Sequence, residues 1–292
     1  MRAAALAWPL GEGPAAVLRR VRRPTPGDAP TPALLEALAE ARPPGAAVRG
    51  VGLAIAGFVD APRGVVLQAP NIPGWRETPL AAEVTRALAA PVHLVNDANA
   101  AALAEARWGA GRGADPVLFV TVSTGIGGGL VHRGRLWAGA RGLAGEIGHI
   151  TVEPDGPRCS CGGRGHLEAL ASGWALARQA RQRTGQAYTA RQVARAAAQG
   201  QAWARDLLQR AAAVLGRALA DLSHVLAPQV IVVGGGVSRS GPLWWQALRA
   251  AYRDGLMHPA FGAPLRPAAL GDDAGLLGAG LFVAAELAQN RV

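Results

Sequence analysis

Residues 145–168 read GEIGHITVEPDGPRCSCGGRGHLE. The chain owns two cysteines and six histidines in 292 residues, yet both cysteines, Cys159 and Cys161, and two histidines, His149 and His166, fall inside this stretch. Four soft or borderline ligands can converge there on one tetrahedral ion, and glycines at 162, 163 and 165 let the backbone fold tightly around it. The plainer alternative is a pair of buried free thiols with surface histidines; the clustering favours a metal. Zinc is the expected ion, and with all four positions filled by protein the site is expected to be structural. Cysteines one residue apart do not easily form an ordinary disulfide, which suits thiolates held by a metal in a reducing compartment.

The carboxylates at the two ends need a separate account. An ion that pins His149 and the loop also anchors Glu146, three residues before one ligand, and Glu168, two after another. Held carboxylates beside an imidazole edge suit a polyol substrate, since each can accept from sugar hydroxyls. Two plainer readings stay open. Glu146 can be a helix-end charge, and Glu168 can begin a helix at LEALASG, where its charge favours the dipole.

Composition bounds the class. Half the residues are hydrophobic, so the chain is globular, and its length allows one large core or two linked ones. Gly, Pro or charge interrupts every apolar run before it reaches a bilayer's width, and Pro9 with the acid after it spoils the N-terminus as a signal peptide. A cytoplasmic protein without a membrane partner is expected. The net charge of +10 raises nucleic acid as a partner, but the basic residues are all arginine and scattered. The densest cluster, RRVRR at 19–23, reads as the solvated face of a strand, and no nucleic-acid partner is expected.

Along the chain, strands and helices alternate. AAALAW (3–8) and AAVLRRVRR (15–23) read as strands around the turn PLGEG, and residues 32–41 as a helix with Leu34, Leu35 and Leu38 at helical spacing. Residues 48–57 read as a buried strand, 79–89 as a helix, and VHLVND (92–97) as a strand running into the helix ANAAALAEARWG. A β-hairpin is expected over 117–137, long helices within 172–224, and a buried strand with a glycine turn over 229–241. Helices over WWQALRAAYRDGL and 272–289 follow. The alternation predicts α/β architecture with parallel pairing. The simplest partition is a smaller lobe over 1–106, joined by the C-terminal helix from about 275, and a larger lobe over 107–274.

The motifs APNIPGW (69–75), NDANAAALAE (96–105), TGIGGG (124–129), GEIGH (145–149), CSCGGRGH (159–166), LEALASG (167–173) and VVGGGV (232–237) occur in this order. Together they resemble the ROK family (repressors, open reading frames and sugar kinases), most closely its glucokinase-like members. The resemblance runs from about residue 3 to the end. It implies a two-lobed actin-like, hexokinase-type (ribonuclease H-like) ATPase fold, and a kinase transferring the γ-phosphate of ATP, with Mg2+, to the 6-hydroxyl of glucose or a close relative. Kinases for N-acetylmannosamine, N-acetylglucosamine or fructose are the alternatives among enzymes. Lobe closure is expected to exclude water from the reaction.

By the same resemblance Asp97 is the general base, and Asn96, Asp97, Glu146, His149 and Glu168 hold the sugar, with His149 also a zinc ligand. One positioned carboxylate is enough for phosphoryl transfer, which needs little covalent help; the plainer role for Asp97 is a helix N-cap. Thr124, Gly125, Gly127, Gly128 and Gly129 resemble the second phosphate-binding turn, where amides approach ATP oxygens without a Cβ in the way. Gly234, Gly235 and Gly236 resemble the adenosine-side turn, or are a plain tight turn after a strand. Relatives are commonly dimers or tetramers, so a homo-oligomer is expected.

Two departures matter. The family's usual third cysteine is His166 here, giving a Cys2His2 set that zinc accepts. Family members also begin with a strand carrying Asp-x-Gly-Gly-Thr, whereas MRAAALAW resembles the residues after that motif. The expectation is a first lobe lacking its first strand and first phosphate grip, with unpaired sheet edges left open. An upstream start, a truncation and a lost kinase activity each account for it; the last would leave a sugar-binding sensor, and no room is seen for the DNA-binding segment of ROK repressors.

Overall fold

The structure is a computed structural model, and it describes residues 1–7, 13 and 15–289. The chain forms two compact units: residues 1–113, 129–144 and 272–292, and residues 114–128 and 145–271. Segments 107–113 and 129–144 thus group with the first unit, a boundary different from the one drawn on the sequence. Among the described residues no helix is long and apolar enough to cross a membrane.

In the first unit β1 (Arg2–Leu6) pairs antiparallel with β2 (Val17–Arg22), Ala3 opposite Val21. Trp8 and the PLGEG turn, apart from Gly13, lie outside the described residues. Only Val21 of RRVRR is buried; Arg19, Arg20 and Arg22 are exposed, Arg20 and Arg22 because alternation puts them on the face opposite Val21. Arg23 instead reaches Glu36 at 2.6 Å and Glu40 at 2.7 Å. Both acids lie on α1 (Pro30–Ala41), which buries Leu34, Ala37 and Ala41. The Met1 amine donates to Arg23 O and Thr25 Oγ1, each at 2.7 Å.

Then β3 (Val51–Ile55), β4 (Phe58–Asp60), β5 (Val65–Gln68), β6 (Arg76–Thr78), α2 (Leu80–Leu88), β7 (Val92–Asn96) and α3 (Asp97–Trp108) follow. Parallel pairing joins β3 to β7 from Val51–Val92 through Ile55–Asn96. The short strands β4, β5 and β6 make an antiparallel sheet of their own.

The pairing leaves a gap. Among the described residues β1 has β2 as its only partner and β3 has only β7. The remaining edges border a cavity of about 590 Å3, floored and roofed by Leu34, Leu38, Leu276, Ala279 and Val283. The gap expected from the sequence is therefore present as an apolar cavity between two sheets that one more strand would join.

The second unit opens with β8 (Val117–Val122) and β9 (Ile126–His132); β9 passes into the first unit at Gly129 and pairs there with β10 (Arg135–Leu136). Helices α4 (Leu167–Ala171), α5 (Gly173–Thr184), α6 (Ala190–Ala198) and α7 (Ala202–Leu226) precede β11 (Val230–Gly234), α8 (Pro242–Gly255) and β12 (Leu265–Pro267). β11 lies between β8 and β12 and runs parallel to both. Its five residues are all buried, which is why the strand reads as a continuous apolar run.

The chain closes in the first unit with α9 (Ala274–Gln289). It packs against α3, whose buried Ala98, Ala100, Ala101, Ala102 and Ala104 let the helices approach closely. A Cβ on Gly278 would lie 1.7 Å from Ala100 O. Gly278→Ala is therefore expected to destabilise the fold by roughly 1–3 kcal/mol, the usual cost of overpacking, read as a lower urea midpoint with unchanged slope.

Candidate active site and metal centre

Asn96 and Asp97 stand where β7 passes into α3, in the first unit. The Asn96 Oδ1 accepts from the Ala98 and Asn99 N–H groups at 2.9 and 3.2 Å, and its Nδ2 donates to Gly57 O at 3.1 Å. Asn96 is thus the N-cap, a role the sequence offered to Asp97 as its plain alternative. Asp97 is the first helical residue, and its carboxylate accepts from Ala98 N–H at 2.9 Å. Its side chain keeps access to solvent. The surrounding protein nevertheless removes enough hydration to push the carboxyl pKa above its ordinary value, against the pull of the Ala98 and Asp97 N–H groups.

The remaining candidates, except Gly129, belong to the second unit. A single 3-10 turn, Ile147–His149, presents His149. The loop after it folds back through bridges pairing Thr151 with His166 and Arg158 with Arg164. His149 Nδ1 lies 3.7 Å from Cys159 Sγ, and His166 Nδ1 lies 3.2 Å from Cys161 Sγ. Ligand atoms of all four residues fall within 4.8 Å of one another. Zinc–ligand bonds of 2.0–2.3 Å give tetrahedral edges of about 3.3–3.8 Å, so the donor set fits such an ion. Burial pushes the Cys159 thiol pKa up, and a cation nearby would reverse that. The other nitrogen of His149, Nε2, faces Glu146 Oε2 at 3.9 Å.

Glu168 is the second residue of α4, and α5 holds that short helix in place. Arg178 Nη2 donates to Ala169 O at 2.8 Å, and Gln179 Nε2 to Leu170 O at 3.1 Å. The Glu168 carboxylate accepts from Ile126 N–H at 3.0 Å through Oε2 and from Ser160 Oγ at 3.2 Å through Oε1. Neither contact was legible beforehand, because Ile126 lies 42 residues away.

The glycine turn after β8 is shaped by protein neighbours. A Cβ on Gly125 would lie 2.2 Å from Glu168 Oε2, and one on Gly128 would press on Ile147, Phe119 O and Gly145 O at 2.9–3.0 Å. In the first unit, Gly129 abuts Ala102 and Asn99. The N-terminus of α5 meets the turn through Gly173 N–H to Ser123 O at 2.8 Å and Trp174 N–H to Thr124 O at 3.0 Å. After β11, Gly235 needs its left-handed backbone, with φ of 88°, and would clash with Val122 O at 2.3 Å if it carried a Cβ. Gly236 has nothing within 4 Å of that position. Of the three, Gly236 is where an outside group has room to approach.

The family model described as the ROK family matches residues 7–286. The chain belongs to the ROK family. It is 38% identical over 249 residues to the glucokinase of Thermotoga maritima, covering 80% of this chain and 78% of that protein. To the N-acetylmannosamine kinase of Escherichia fergusonii it is 38% identical over 265 residues, 90% of this chain and 89% of the other. A ROK hexokinase structure from Thermus thermophilus superposes with a TM-score of 0.84 at 40% identity, covering 98% and 99% of the two chains. A ROK glucokinase from Streptomyces griseus, solved with glucose and AMPPNP, gives 0.81 at 36%, covering 97% and 99%. This ROK chain accordingly has the α/β, actin-like ATPase fold of those kinases.

Proposed function

We propose that this ROK protein is an ATP-dependent hexose kinase that transfers the γ-phosphate of ATP to the 6-hydroxyl of glucose. The observation that carries the reading is Asp97, a carboxylate with a raised pKa fixed at the start of α3 behind a capping asparagine. The similarity to glucokinases over most of the chain supports it.

In this reading the Asp97 carboxylate takes the hydroxyl proton as the sugar oxygen bonds to the γ-phosphorus. The bond from that phosphorus to the β–γ bridging oxygen breaks, and ADP leaves with the electron pair. Magnesium accompanies the nucleotide and, when bound, offsets the charge on the transferring group. Asn96, Glu146, His149 and Glu168 hold the sugar, and the turns at 124–129 and 234–236 receive the nucleotide. A raised pKa makes the ionised Asp97 a stronger base than an ordinary aspartate.

His149, Cys159, Cys161 and His166 are proposed to hold a structural zinc ion, which orients the His149 ring through Nδ1 and leaves Nε2 toward Glu146. One zinc per chain is expected by elemental analysis, with none retained in a Cys159→Ser, Cys161→Ser double variant. The function is tested by ADP release with ATP, magnesium and a panel of sugars. Glucose is expected to give the highest kcat/KM. N-acetylmannosamine in that place would favour the second reading, which rests on the Escherichia fergusonii relative. Sugar binding without ADP release from any sugar would leave a sensor rather than a kinase.

A further inference from the structure

The residue Ile126 is gripped on both sides by the segments that carry the metal-ligating residues. Its N–H donates to Glu168 Oε2, and the other oxygen of Glu168 accepts from Ser160, which sits between Cys159 and Cys161. Its carbonyl lies against Gly148, next to His149, where a Cβ would come within 2.1 Å of Ile126 O. A Cβ on Gly125, just before Ile126, would press on Glu168, and one on Gly128, two residues after it, on residues 145 and 147 in the same way. These contacts leave the turn little freedom so long as the metal loop holds its shape.

We propose that Glu168 is a positioning residue that ties the glycine turn to the metal loop, so that an ion held by that loop orders the turn that receives the nucleotide phosphates. The inference rests on the assignment of residues 124–129 to nucleotide under the proposed function. A carboxylate has about four acceptor sites, so the Ile126 and Ser160 bonds and the longer contact from Cys159 Sγ at 3.9 Å still leave room for a sugar hydroxyl on the same group. Two N–H or O–H donors to one anion make charge-assisted bonds, stronger than neutral ones. Loss of the loop's order would release Ser160 first and loosen Glu168 on Ile126.

The test uses the zinc-loaded full chain and reads two quantities without sugar: exchange of the Ile126 amide by NMR and AMPPNP affinity by calorimetry. Glu168→Ala is expected to speed Ile126 exchange and weaken AMPPNP, each roughly tenfold or more, as loss of a bond to a charged acceptor implies. Glu168→Gln is expected to recover most of both, because its carbonyl still accepts from Ile126 N–H. Chelating the metal from the unsubstituted chain is expected to speed Ile126 exchange in the same direction, and this arm needs no variant to fold. Unchanged exchange after chelation, or a Glu168→Ala chain that loses sugar affinity alone, overturns the proposal. An unsubstituted chain that fails to bind AMPPNP counts against the proposed function instead, and the exchange measurements still decide the role of Glu168.

Discussion

Asp97→Asn is expected to lower kcat for sugar phosphorylation by roughly 10²–10⁴, the range for losing a general base, while glucose and AMPPNP affinities stay within about threefold. The substitution is isosteric and keeps an oxygen for the Ala98 N–H, so α3 and its Asn96 cap should survive. What it removes is the proton acceptor. The pH profile supplies a second check with a definite sign. A general base works when deprotonated, and its pKa is raised by lost hydration. The acidic limb of kcat/KM should therefore fall away at a pH above the ~3.9 of an ordinary aspartate, and that limb should be missing from whatever activity Asp97→Asn retains. A variant turning over at the unsubstituted rate would remove Asp97 from the chemistry.

The second large effect concerns the open edges of β1 and β3. At ~3.3 Å per residue, ~4.8 Å between strands and ~10 Å between layers, one strand residue fills about 160 Å3. The cavity of about 590 Å3 thus holds roughly four of them. An extended segment of small and aliphatic residues, joined to Met1 through a two-residue turn, is expected to enter it antiparallel to β1. Four buried side chains at about 2 kcal/mol each and some five ladder hydrogen bonds at about 1 kcal/mol oppose about 1.5 kcal/mol of ordering per residue. Roughly 5 kcal/mol remains, or about 10–20 °C in Tm for a unit of this size. The same segment with a central proline, which cannot donate to a ladder, should give little of it. Equal melting temperatures for the two extensions, with dimers forming through β1, would show that a second copy claims the edge.

Much of this was legible in the chain because the signals were local. β3, β7, β8 and β11 are apolar runs, and the strand-helix alternation in the first third of the chain predicted the parallel pairing seen for β3 and β7. The four metal-ligating residues were found because cysteine and histidine are scarce here, and the structure brings their ligand atoms together. The sheet of β4, β5 and β6 was missed because its strands are three or four residues long, too short to show a period. β12 was missed for the same reason.

The helix cap fell to Asn96 rather than Asp97 because α3 begins one residue earlier than the cap reading required, and only backbone geometry shows that. Glycines 125 and 128 looked like phosphate contacts alone. Their packing against Glu168 and Ile147 depends on partners distant in the chain, which no spacing rule reveals.

The absence of lysine has a practical consequence when set beside the position of Met1. Apart from the six histidines every basic side chain is a guanidinium, so in a polypeptide made with Met1 as its first residue that α-amine is the one primary amine. Burial, then the neighbouring Arg2 and Arg22, lowers its pKa, so more of it is an unprotonated nucleophile near neutrality than in an ordinary terminus. An amine-reactive dye would label a polypeptide made with that first residue once, at a position that itself lines the cavity between β1 and β3. Such a polypeptide carries a built-in attachment point for a fluorescent reporter, whose polarity and quenching would follow in real time whatever enters that space.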